Sequence, residues 1–155
     1  MKISKSTLIL KQVKLYNLLY LSKYINIRYE IFIKEMGRSI IFGEFHFDDL
    51  FARHYILLSN NNIIGTARLI YKDPDIADVG RIAIHKNYRN QGYGKLIVTK
   101  LLEIIKRDTK LALSSLLSED DKVDFYKKLG FIANDRIFTY SVPLTRMITN
   151  VSSQK

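Results

Sequence analysis

The sequence predicts a mixed α/β domain with the element order β-α-β-β-β-α-β-α-β. Three observations predict it. Val79 to Ile84 (V-G-R-I-A-I) is a short, apolar, β-branched run of the kind that forms a buried strand. The glycine-bearing stretch Arg89 to Gly94 (R-N-Q-G-Y-G) follows, after which Ile97, Leu101, Ile104 and Ile105 recur at helical spacing as one apolar stripe. Tyr55 to Ser59 and Ile63 to Tyr71 flank Asn60-Asn61-Asn62, a hairpin signal.

The remaining elements follow in chain order. Thr7 to Val13 reads as a first strand. From Lys14 to about Lys34, Leu15, Leu18, Leu19, Leu21, Ile25, Ile27, Ile31 and Phe32 fall at mostly helical spacings, predicting one or two helices broken near Tyr24 to Asn26. Met36 to Leu50 is irregular and reads as a loop, and Lys72-Asp73-Pro74-Asp75 as a turn. Leu111 to Leu117 is the fifth strand. Ser118 is expected to cap the next helix, with Glu119, Asp120 and Asp121 in a first turn where the helix dipole favours acid. Gly130 should close that helix in the left-handed conformation. Ile137 to Met147 is the last strand region, and Pro143 marks an edge or a bulge in it.

Composition narrows the class. At 155 residues, with 47% hydrophobic and 26% charged residues, the chain suits one globular domain, placed at 1–148 with a polar tail at 149–155. There is no cysteine, which excludes disulfides and thiolate catalysis and fits a cytoplasmic location. No apolar run reaches the roughly 18 residues of a membrane span, and Leu8 to Leu10 is too short for the apolar core of a signal peptide. The net charge of +10 fits a lysine-rich surface or a polyanionic ligand. Nucleic acid is a possible partner that no arginine run or recognised motif favours.

Strand, glycine loop and helix together aim backbone N–H groups and the positive end of a helix dipole at one spot, an arrangement that suits a pyrophosphate. The stretch lacks the third glycine of a dinucleotide fingerprint and the Gly-Lys-Ser/Thr ending of a P-loop. Instead, with Phe125-Tyr126-Lys127-Lys128-Leu129-Gly130-Phe131 downstream, it resembles the GNAT superfamily of acyl-CoA N-acyltransferases. That family's pattern is a central strand, R/Q-x-x-G-x-G/A opening a helix, and a later F-Y-x-x-x-G-F. Arg28-Tyr29-Glu30-Ile31-Phe32-Ile33-Lys34-Glu35-Met36, Ala67-Arg68-Leu69 and Gly80-Arg81-Ile82 are similar to signatures of the ElaA-like branch. Pro143-Leu144 departs from its Pro-His. Acyl-homoserine-lactone synthases share a similar opening and generally lack so clean a glycine loop.

The resemblance implies an acetyl-CoA-dependent N-acetyltransferase acting directly on a primary amine through a ternary complex. Backbone groups of Ile82, Ala83 and Ile84 would pair with the pantetheine arm. Arg89, Asn90, Gln91, Gly92, Tyr93, Gly94 and Lys95 would hold the pyrophosphate. Tyr126 would protonate the departing sulfur, a role a phenol of pKa about 10 can fill at neutral pH. The central strand carries no glutamate, so Glu35 is the candidate base. Arg68 and Arg81 either pair with Glu30 or Glu35 or bind a substrate carboxylate bidentately. His85 reads as a solvated loop histidine. His46 and His54 have no metal-ligand spacing, so no metal is implied. The acceptor is a small-molecule or peptide amine, and a homodimer is compatible with the family. The alternatives are a longer-chain N-acyltransferase of the homoserine-lactone kind and a non-catalytic acyl-CoA-binding or RNA-associated module.

Overall fold

The computed structural model describes residues 7–14, 16–37, 47–73, 75–108, 113–139 and 142–151. Leu15, His46, Pro74, Leu111 and the tail from 152 onward lie outside the described residues. The strands are β1 (Leu8–Val13), β2 (Arg53–Ser59), β3 (Asn62–Asp73), β4 (Ile76–Ile84), β5 (Leu113–Ser118), β6 (Ile132–Thr139) and β7 (Val142–Asn150), and the helices are α1 (Leu18–Arg28), α2 (Tyr93–Asp108) and α3 (Val123–Lys127). They form one seven-stranded mixed sheet in the order β1-β2-β3-β4-β5-β7-β6. The mixed α/β class read from the sequence is the class observed. No helix among the described residues is long and apolar enough to cross a membrane.

The chain divides into two compact units, Met1–Arg68 with Arg81–Ile97, and Leu69–Gly80 with Val98–Lys155. In the first unit β1 and β2 are antiparallel from Leu8↔Ser59 to Val13↔His54. Five consecutive residues of β2 are buried, as expected of a strand covered on both faces, whereas in β1 only Val13 is buried. Asn60 (φ +47) and Asn61 (φ +68) make the hairpin turn. Both are left-handed, as a primed two-residue turn requires, and Asn tolerates that conformation.

Asn17 caps α1 by accepting from the Tyr20 amide at 3.2 Å. The break expected near Tyr24 to Asn26 is absent. The helix instead widens to a π-helical segment, Tyr29–Glu35, in which the Met36 N–H reaches the Ile31 carbonyl at 3.0 Å. The buried face of α1 is carried by Tyr24, Ile27 and Arg28 while Leu18, Leu19 and Ile25 are exposed, so the leucine spacing does not mark the buried stripe and suggests a break that is not there. Ile27, Ile31 and Phe32 are buried with Ala83, while Val13, Tyr24, Ile56 and Leu58 form a second buried cluster. A short 3₁₀ turn covers Phe47–Leu50.

In the second unit β4 and β5 are parallel from Ile76↔Leu113 to Asp78↔Ser115, and β5 and β7 antiparallel from Leu113↔Asn150 to Ser118↔Thr145. The last strand region is two strands. β6 pairs antiparallel with β7 and carries a bulge between Ala133 and Asp135. As the edge strand it exposes Ile132 through Arg136, so no apolar alternation announces it. Pro143 pairs with Phe138, beyond the part of β7 that pairs with β5, so its missing N–H interrupts only the edge. Thr149 and Asn150, read as the start of a tail, are the end of β7, and Val151 is buried. Ser118 ends β5 and donates its hydroxyl to the Glu119 carbonyl instead of capping a helix. Two turns follow it, a 3₁₀ turn at Asp120–Lys122 and then α3.

Candidate active site

The first unit holds the end of β4 and the glycine loop. Arg81 is left-handed at φ +51, and its carbonyl accepts from the Thr66 hydroxyl at 3.2 Å. A left-handed residue interrupts the alternation of the strand just before Ile82, Ala83 and Ile84. The His85 N–H then bonds the Ile64 carbonyl at 2.8 Å, and a 3₁₀ turn over Lys86–Tyr88 leads to Arg89. Asn90 (φ +60) and Gly92 (φ +81) are both left-handed. Gly92 is required for its backbone conformation rather than for room, because a Cβ there would meet nothing within 4 Å.

The first helical bond of α2 runs from the Leu96 N–H to the Gly92 carbonyl at 3.0 Å. The N–H groups of Tyr93, Gly94 and Lys95 therefore precede any intrahelical acceptor. The first turn carries no acid. Left-handed residues at alternate positions, followed by a helix start whose first N–H groups have no intrahelical acceptor, are the arrangement of donors that suits a phosphate group.

Arg89 and Glu35 come together at this loop. Arg89 donates Nη1 to Glu35 Oε1 at 2.5 Å, Nη2 to Oε2 at 2.9 Å, and Nε to the Ile84 carbonyl at 2.9 Å. The hydrogen bonds from Arg89 hold the Glu35 carboxyl below the usual carboxylate range. A carboxylate with both oxygens on a guanidinium is a poor acceptor of an amine proton. Gly65 holds the neighbouring strand close: an added Cβ would lie 2.7 Å from Ile84 Cδ1, 2.9 Å from the Ala83 carbonyl oxygen and 3.2 Å from Ile97 Cδ1. An isolated glycine inside an apolar strand was the signal available for it.

Arg68 pairs with neither Glu30 nor Glu35. Glu30 pairs with Lys34 at 2.8 Å, and Arg68 donates Nη1 to Asp49 Oδ1 at 2.6 Å. Asp49 also lies 3.9 Å from Nη2 of Arg28, which is 1% exposed. Arg28 donates to the Tyr24 hydroxyl at 2.6 Å, Tyr24 bonds His54 Nδ1 at 2.6 Å, and His54 Nε2 bonds the Asp49 carbonyl at 2.8 Å. Since a carbonyl only accepts, Nε2 carries the proton and Nδ1 accepts from the phenol. Burial correspondingly lowers the His54 pKa. Asp49 and His54 carry this network unannounced by spacing, because their partners are distant in sequence.

Tyr126 lies on α3 in the second unit, edge-on to Phe125 (ring centroids 4.9 Å apart) and Phe131 (5.9 Å). Its carbonyl takes the N–H groups of Leu129 and Phe131, a closure that Gly130 permits at φ +89. Burial, with a smaller contribution from Glu119, pushes the phenol up to about 12.

Residues 51–133, more than half of the chain, match the family described as Acetyltransferase (GNAT) domain. The chain belongs to this family, and it is an acyltransferase of the GNAT type. It is 30% identical over 135 residues to the uncharacterized protein YyaT of Bacillus subtilis (strain 168), covering 85% of this chain and 90% of that protein. It is 32% identical over 74 residues, 48% of this chain, to the uncharacterized N-acetyltransferase ycf52 of Pyropia yezoensis, of which the match spans only 42%. Escherichia coli ElaA shares its fold with a TM-score of 0.78 at 18% identity, over 94% of this chain and 99% of that one.

Proposed function

We propose that the chain transfers an acetyl group from acetyl-CoA directly to a primary amine within a ternary complex. The observation that carries the donor assignment is the left-handed Asn90–Gly92 loop opening the sixteen-residue helix α2 without an acid in its first turn. The pyrophosphate is assigned to the N–H groups from Gln91 to Lys95, with the Lys95 ammonium adding charge, and the pantetheine arm to backbone groups of Ile82, Ala83 and Ile84. Support for direct transfer is the absence of cysteine, which leaves no thiol to carry a covalent acyl group.

The amine lone pair attacks the thioester carbonyl carbon, the C–S bond breaks, and the proton lost by nitrogen ends on sulfur. Tyr126 is assigned to the departing thiolate. With its pKa near 12 it stays protonated at every working pH. A thiol near pKa 8.5 lies well below that, so the phenol acts chiefly by donating a hydrogen bond to the thiolate. Glu35, held by Arg89, is not assigned as the base. The amine enters as its free base, about one part in 2,500 of an alkylamine of pKa 10.4 at pH 7. Arg68 is answered by Asp49 and is assigned to the scaffold; an acceptor carrying a carboxylate is assigned to Arg81. The place of action is the cytoplasm.

The test is thiol release from acetyl-CoA across a panel of polyamines, amino sugars, amino acids and peptide amines. Release with at least one acceptor is expected, with the logarithm of the rate rising with unit slope as pH approaches the amine pKa. Preference for a long acyl donor would favour the homoserine-lactone-like alternative. Donor binding without release from any amine would favour the non-catalytic one.

A further inference from the structure

The three hydrogen bonds of Arg89 tie the start of the glycine loop to the end of β4 at Ile84, close in sequence, and to the end of the π-helical segment at Glu35, 54 positions away. We infer that Glu35 and Arg89 form a positioning clamp that sets the glycine loop for its anionic ligand, rather than serving as a base and a phosphate contact. The role rests on the reading of the loop as an acyl-CoA site.

Geometry carries it. A guanidinium offers its N–H groups in one rigid plane, and here three of the five point at protein acceptors. The bidentate half fixes the plane and the Nε bond fixes its position along β4. The residue after the strand is fixed too, since the His85 N–H is held by the Ile64 carbonyl at 2.8 Å. The loop is thus anchored at its entry by Arg89 and at its exit by the Leu96 to Gly92 bond that starts α2. The left-handed residues Asn90 and Gly92, which shape the donor array, fall within those anchors. The π-helical segment has a matching use, because its extra residue per turn decides where Glu35 emerges.

The clamp makes a prediction whose sign differs from the alternative. Glu35 is a negative charge 2.5 Å from an arginine beside a site for a polyanion. If Glu35 were only a neighbouring charge, Glu35→Gln would tighten anion binding by freeing Arg89 for the phosphates. If it is half of a clamp, the same change loosens the loop and weakens binding.

The experiment titrates coenzyme A, which has no acyl group to react, into the wild-type chain, Glu35→Gln, Arg89→Lys and the double variant by calorimetry. Amide hydrogen exchange over residues 89–96 is followed in parallel, with thermal midpoints as the check on folding. The clamp predicts about tenfold weaker binding in each single variant, a double variant no more than about twofold worse than either, and faster exchange in the loop of all three. Arg89→Lys keeps the charge and loses the fork, so its loss separates positioning from simple attraction. Tighter binding in Glu35→Gln, or unchanged affinity and exchange in Arg89→Lys, overturns the clamp while leaving the loop's assignment intact. No binding by the wild-type chain overturns the assignment and the clamp together.

Discussion

Replacing Asp49 by Asn tests whether Arg28 and Arg68 belong to the scaffold. Asp49 stands 2.6 Å from Arg68 Nη1 and 3.9 Å from Arg28 Nη2, with side-chain exposures of 16% for Arg68, 2% for Arg28 and 11% for Asp49. Asn preserves the shape and removes the charge, so two guanidinium groups largely withdrawn from water lose that carboxylate. Breaking one side of a buried ion pair costs about 3–5 kcal/mol. Arg28 keeps its bond to the Tyr24 hydroxyl and its place 5.2 Å from the Tyr24 ring centroid, and Arg68 retains some solvent. The low end, about 3 kcal/mol, is therefore expected, equivalent to a fall in Tm of about 6–12 °C for a chain of this size. Denaturant titrations of Asp49→Asn, Arg68→Met and the double variant measure it. The double variant should recover part of the loss, because it removes the unpaired cation along with its partner. A loss below about 1 kcal/mol, the value for an exposed pair, would mean that Asp49 does not hold these arginines in the fold.

Gly65→Ala should destabilise the chain by about 1–3 kcal/mol through overpacking, since the Ala83 carbonyl oxygen at 2.9 Å is backbone and cannot step aside; unchanged denaturant midpoints would contradict this. His54 is neutral in the fold and its pKa is lowered by burial, so the folded state binds fewer protons than the unfolded state below pH 6.5. Stability should hold above that pH and fall as pH drops from 6.5 toward the lowered folded value; a comparison with His54→Gln isolates this component, which should be missing from the variant's stability–pH curve. Tyr126→Phe should reduce kcat by about a hundredfold with acetyl-CoA affinity unchanged, and retention of kcat would remove the phenol from the reaction.

The legible parts of this chain were those whose physics is local. The Asn60-Asn61 turn is read directly because few residues adopt two successive left-handed conformations. The apolar stripe of α2 is read from spacing: Ile97, Leu101 and Ile105 are wholly buried, and Val98 and Leu102 widen the stripe. Edge strand β6 was hidden, because pairing to β7 on either side of the bulge at Asn134 holds exposed residues such as Ala133, Asp135 and Arg136 in the strand without any apolar alternation. The capping role given to Ser118 failed because β5 pairs with β7 as far as Ser118↔Thr145. At the candidate site, the glycines and Glu35 could be picked out by residue type and motif. That Glu35 meets Arg89, 54 positions away, and that Asp49 answers Arg68 are long-range pairings that no local pattern encodes.

The most direct test of the account is a calorimetric titration of the purified chain with acetyl-CoA at physiological salt, repeated on Gly92→Glu. Gly92 is left-handed at φ +81 with open space at the Cβ position, so glutamate strains the loop and places a negative charge at the donor array without a clash. Saturable binding at about one site per chain is expected in the wild type, weakened by about a hundredfold or more in the variant at an unchanged fold. Absence of binding by the wild type, or equal affinity in Gly92→Glu, would contradict the assignment of the loop.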